Sequence, residues 1–169
     1  MTTVPPAWLP AVVSSVTVVL ALCGFMWQMQ RARFNHSVDL LFRLEIDFFG
    51  AAKKVQRVKA SRDLQQGKVL EAEPILDFFE TMALLLRRGA LDTEIVCHTF
   101  FYWIDNYYEA CKGFIEERQA TDPLVWKDLP PFVAKLRSFE SKQLGGKPYV
   151  APTTARIAAF LAEEQTEAL

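Results

Sequence analysis

The chain has 169 residues, 51% hydrophobic and 23% charged, and its 19 Lys and Arg stand against 20 Asp and Glu. That balance excludes a nonspecific nucleic-acid binder, which needs a sustained basic field. Thirteen Phe, most of them within periodic segments, exclude a disordered chain.

The charge is unevenly placed. Nothing charged occurs before Arg31, and Ala11–Met29 (AVVSSVTVVLALCGFMWQM) is a sustained apolar run. As a helix at about 1.5 Å per residue it approaches the roughly 30 Å hydrocarbon core of a bilayer. Trp8 and Trp27 stand near its ends, where indole rings favour the lipid–water interface. A signal peptide would carry a basic start, and Met1–Pro10 has none. Residues 1–30 therefore read as a tail and a transmembrane anchor contacting the lipid bilayer. Arg31, Arg33 and Arg43 follow the span, which predicts an outside N-terminus and a cytoplasmic C-terminal domain. Cys97 and Cys111 are consistent with a reducing compartment. Ala7, Ala11 and Ser15 have the small-residue spacing of close helix approach, so a homo-oligomer through the span is a candidate.

Residues 31–145 read as a helical bundle, and 146–169 as an extended segment with a short helix. The expected class is all-α. Arg31–Arg62 reads as one long helix, with Phe34, Val38, Leu41, Phe42, Phe48, Ala52 and Val55 as its apolar stripe, although Gly50 weakens it locally. Lys53, Lys54, Arg57, Lys59 and Arg62 form a basic cluster near its end. Such cations complement a helix dipole; the functional reading is a surface for an anionic partner. On an upright helix Lys53 lies about 33 Å beyond Arg31, too far for lipid headgroups, which only a tilted helix would bring within reach.

A connection follows over Ser61–Glu73. Pro74 suits the start of a second helix, Gly89 its stop, and Asp92 the N-cap of a third. That third helix, Thr93–Arg118, carries two adjacent apolar seams, with Val96, Phe100, Trp103 and Tyr107 on the first and Cys97, Phe101, Ile104 and Tyr108 on the second. Glu94, His98, Asp105, Glu109, Lys112 and Glu116 are expected on its wet edge. Trp126 falls in a short turn, and a helix over Phe132–Leu144 begins after Pro130-Pro131. Pro148 and Pro152 hold an extended stretch before a last helix using Ile157, Phe160 and Leu161, and Glu163–Leu169 (EEQTEAL) is expected to fray.

No catalytic pattern emerges, and no cofactor is implied. Cys97 and Cys111 lie about 21 Å apart on one helix, too far to share a metal or a disulfide. A carboxylate-bridged metal site needs paired Glu-x-x-His motifs, whereas Glu94 and His98 are four apart and only His36 remains. Phosphate loops, nucleophile elbows and zinc-protease motifs are absent.

The segment ILDFFETMALLLRRGALD, residues 75–92, together with Trp103 and Trp126, resembles the bacterial family called domain of unknown function 4760. Phe79, Glu80, Ala83, Gly89, Leu91 and Asp92 carry the resemblance, which spans roughly residues 31–142. It implies a helical architecture, a bacterial setting and, in many members, an N-terminal membrane helix, here in the inner membrane. It brings no catalytic residues. The expected function is a non-catalytic, single-span membrane protein whose helical domain binds an unknown protein partner. The alternatives are a small effector that oligomerises and perturbs the bilayer, and a carboxylate–His metal enzyme.

Overall fold

The computed structural model describes residues 9–166, with the side chains of residues 9–19, 30 and 33 outside the description. Six α-helices account for most of the described residues, and no strand occurs among them. They are α1 (Leu9–Phe49), α2 (Ala51–Gln65), α3 (Glu73–Arg87), α4 (Thr93–Thr121), α5 (Leu129–Gln143) and α6 (Thr154–Thr166). A 3-10 turn over Leu70–Ala72 leads into α3. The all-α expectation holds. The chain divides into two compact units, Met1–His36 and Ser37–Leu169.

In the first unit the large side chains from Leu20 to Met29 are exposed, and the Arg31 guanidinium stands 5.5 Å from the Trp27 ring. Among the described residues no helix is long and apolar enough to cross a membrane. The expected anchor falls partly outside that description, since the side chains of residues 11–19 are not included. Trp8 lies outside the described residues, as does Ala7, and the Ala11 and Ser15 side chains are likewise undescribed.

The second unit is a helical domain built around α4. The expected continuous helix over Arg31–Arg62 is corrected at Gly50, which takes an extended conformation (φ −65°, ψ 154°) and caps α2. A Cβ there would lie 2.8 Å from the Ile46 carbonyl oxygen, so the break requires glycine. The apolar stripe is corrected with it. Leu41 and Phe48 enter the core, whereas Phe34, Phe42 and Val55 are exposed. Ser37 ties α1 to α4 by accepting from the Asp92 amide at 2.9 Å.

The helix punctuation follows the local chemistry. Gly89 has φ 71°, a left-handed stop that costs glycine little. Asp92 Oδ1 accepts from the Glu94 and Ile95 amides at 2.8 and 3.3 Å. α5 starts three residues before the expected Phe132, because Pro130 and Pro131 occupy its first turn, where an amide hydrogen is not needed. Trp126 does lie in a short turn, at φ 46°, and α3 holds it there. Its indole nitrogen donates to Asp77 at 2.8 Å, and Glu80 accepts the Asp128 amide at 3.1 Å.

The core joins Phe48, Phe79, Phe100, Tyr107 and Ile104 to Leu129 and Leu136 of α5 and Phe160 of α6. Phe48 is an aromatic hub, within 6.0 Å of the rings of Phe49, Phe78, Phe79, Phe100 and Trp103. The expected fraying from Glu163 is also corrected: α6 continues to Thr166 and buries Glu164, while residues 167–169 lie outside the description.

Candidate functional site

The five expected basic residues do not form one surface. Arg57 is buried, with its Nε 3.0 Å from a Glu164 oxygen and its guanidinium over the Phe48 and Phe49 rings at 4.6 and 5.3 Å. It also donates to the Phe48 carbonyl at 3.4 Å, near the C-terminus of α1, where carbonyls lack helical partners. Lys53 is half-buried, its Nζ 5.6 Å from the Phe78 ring, and Lys54 is half-buried too. Only Lys59 and Arg62 are exposed, and helical spacing puts them on one face with exposed Val55.

A second exposed face lies on α1. Phe42, Ile46 and Phe49 follow at four-three spacing and so share one side of the helix. Phe42 and Ile46 are 61% and 65% exposed, although Leu41 and Phe48 on another side of the same helix are buried. The end of α1 is thus apolar on two sides, one covered and one open.

Inside the domain, charges serve as ties between helices. Glu164 accepts from Trp103 Nε1 at 3.1 Å and from the Tyr107 hydroxyl at 2.8 Å, in addition to Arg57. Burial and the adjacent carboxylate push the Tyr107 phenol far above its ordinary value. On the α5 side, Arg137 reaches Asp105 at 2.7 Å and Glu109 at 2.6 Å, and the Tyr149 hydroxyl donates to Asp105. Asp105 and Glu109 are therefore not the solvated edge expected of them. Asp105 is fully buried, and Glu109 pairs with α5 rather than standing as a simple exposed helical residue.

The thiols of α4 are core groups. Burial raises Cys97 to about 11 and Cys111 to about 12, so both are protonated at neutral pH. Protonated buried thiols are poor nucleophiles and poor metal ligands. His36 and His98 are exposed, and among the described residues no three His, Cys, Asp or Glu side chains gather as a metal site would need. An open groove of about 810 Å³ includes Cys97, His98, Phe101, Glu140, Tyr149 and Arg156 in its lining, a mixture of both charges on an apolar floor.

Sequence reasoning missed Asp105, Arg137 and Glu164. Arg137 carried one signal: it is a lone cation on the buried side of α5, next to Leu136. Glu164 carried none, because its partners lie on α2 and α4.

The fold and its interior define a helical domain closed by buried ion pairs, with an apolar and a basic face left open. A family model described as domain of unknown function DUF4760 matches residues 11–138. The chain belongs to this family. No curated protein and no solved structure matches it. The residues that carried the earlier resemblance have structural roles: Phe79 is core, Glu80 and Asp77 pin the Trp126 turn, Gly89 and Asp92 punctuate helices, and Trp103 holds Glu164.

Proposed function

We propose that this protein is a membrane-tethered interaction module that binds a protein partner and catalyses no reaction. The observation that carries the reading is the pair Phe42 and Ile46, large apolar side chains one turn apart and left open to solvent, continued by the partly covered Phe49. Contiguous apolar faces on a folded domain mark surfaces that another molecule covers. Val55, Lys59 and Arg62 on α2 add a mixed apolar and basic face suited to an acidic partner. The tether is argued from the amino-acid sequence: no charge before Arg31, an apolar run over Ala11–Met29 and arginines directly after it. Those arginines favour an inner-membrane anchor with the helical domain in the cytoplasm.

The experiment is site-specific photocrosslinking in cells, with the photoreactive group at position 42. One partner protein captured reproducibly, and lost when Ile46→Glu is added, is the expected result. Crosslinks to lipid alone would overturn the partner reading. Capture of a second copy alone would replace it with self-assembly. Lys59→Glu with Arg62→Glu should weaken capture of an acidic partner while leaving helicity unchanged.

A further inference from the structure

The Glu164 carboxylate is held by three groups from distant parts of the chain: an ion pair with Arg57 at 3.0 Å and hydrogen bonds from Tyr107 at 2.8 Å and Trp103 at 3.1 Å. All three lie on α2 and α4, within the residues 11–138 that match the family model. Glu164 and the whole of α6 lie beyond that match. A buried guanidinium, indole N–H and phenol are each costly unless they meet an acceptor. The family-matched part of the chain therefore builds a carboxylate receptor, and the carboxylate comes from outside it.

The rest of the recognition is compact. Phe160, one helical turn before Glu164, sets its ring edge-on to Tyr102 and Tyr107 at 5.5 and 5.0 Å. Leu161 is buried beside it, whereas Ala155, Ala158, Ala159 and Ala162 are exposed. What α6 offers to α2 and α4 is thus a Phe-Leu-x-x-Glu face, flanked by half-buried Ile157 and by Glu163, which accepts from the Tyr102 hydroxyl at 2.6 Å. It is joined through Gly145 and Gly146, exposed and at φ 75° and 80°, followed by a non-helical stretch to Thr153.

We infer that the crevice between α2 and α4 is a helix-binding site, filled in cis by α6, that accepts an acidic amphipathic helix from a partner protein carrying the same Phe-Leu-x-x-Glu face. This rests on the interaction-module reading and names the chemistry of the partner. Charge complementarity selects the occupant: Arg57 requires an anion, and Trp103 and Tyr107 present donors that a basic or purely apolar side chain leaves unsatisfied. α6 competes at the high effective concentration of a short connection, so it sets a threshold that a partner helix must exceed.

The test uses a fluorescent peptide with the sequence of residues 152–166, PTTARIAAFLAEEQT, titrated against the full chain and followed by anisotropy. Phe160→Ala in the chain weakens α6 and leaves the three groups in place. The peptide is expected to bind that chain about tenfold or more tightly than it binds wild type. Adding Arg57→Met to the chain, or placing Gln at the Glu164 position of the peptide, should abolish binding. Equal affinity for both chains, or binding indifferent to Arg57→Met, overturns the inference. Should the Phe160→Ala chain lose its helical signal, hydrogen exchange on wild type decides. α6 amides exchanging about tenfold or more faster than those of α4 report the local opening the site requires. One shared rate makes α6 a fixed part of the core and overturns the inference. Partner capture at position 42 without peptide binding would sink this inference and leave the interaction reading standing. Peptide binding without any partner capture would do the reverse.

Discussion

Arg57 and Arg137 are two buried-end arginines that solve the same problem differently. The Arg57 side chain is 3% exposed and meets the Glu164 carboxylate, which also accepts from an indole and a phenol. Arg137 is 20% exposed and lies between two carboxylates, with the rings of Tyr108 and Tyr149 at 5.5 and 5.3 Å. Burying a charge pair is worthwhile only when every lone pair and proton is used. The Arg57 pair answers that demand with neutral donors on its carboxylate. The Arg137 group meets it with extra charge and some water. The difference shows which charged junction is the drier: that of α2, α4 and α6.

The comparison breaks most sharply at Glu164. Glu164→Ala leaves a buried guanidinium without its carboxylate and should cost about 3–5 kcal/mol in chemical denaturation. The double change Arg57→Met with Glu164→Leu should recover most of that loss, because an apolar pair of similar volume removes both charges. If Glu164→Ala proves neutral, the buried pair does not hold the junction. Arg137→Ala should cost less, about 2 kcal/mol, since water reaches part of the group and Tyr149 still donates to Asp105. A larger loss for Arg137→Ala than for Glu164→Ala would invert the comparison.

A smaller effect concerns the two thiols, which lie about four turns apart along one seam of α4. Both sit at an ordinary value of 9.0 when unfolded and rise by burial on folding, to about 11 for Cys97 and about 12 for Cys111. A raised folded value means that this stability is fully present below pH 9.0 and is lost as pH rises toward those values. The denaturation midpoint should hold steady below about pH 9 and fall above it. Alkylation with iodoacetamide at rising pH should modify Cys97 before Cys111, which lies deeper and close to Tyr107. The reverse order would place the drier end of that seam at Cys97.

Much of the fold could be read from residues one turn apart. Asp92 as a cap, Gly89 as a stop and the two seams of α4 depend on local chemistry and periodicity, and the structure bears them out. Gly50 was harder. Apolar spacing continues across it, and only the Ile46 carbonyl, close to where a Cβ would sit, marks the break. The candidate site was half legible. Lys59 and Arg62 lie on an open face, but Arg57, in the same basic run, turns inward, because its carboxylate stands on a helix more than a hundred residues later. A run of cations gives no sign of which member has a distant acid. Asp105 looked solvated for the same reason: its pairing with Arg137 and Tyr149 exists only in three dimensions.

The pairing of Arg57 with Glu164 also orders events during synthesis. Arg57, Trp103 and Tyr107 are synthesised well before Glu164, so the nascent domain at first lacks the carboxylate that all three contact. The junction of α2, α4 and α6 therefore closes only after the last turn of α6 has joined the helices made before it. A message cut short before residue 164 would yield a chain that its own interior marks as unfinished.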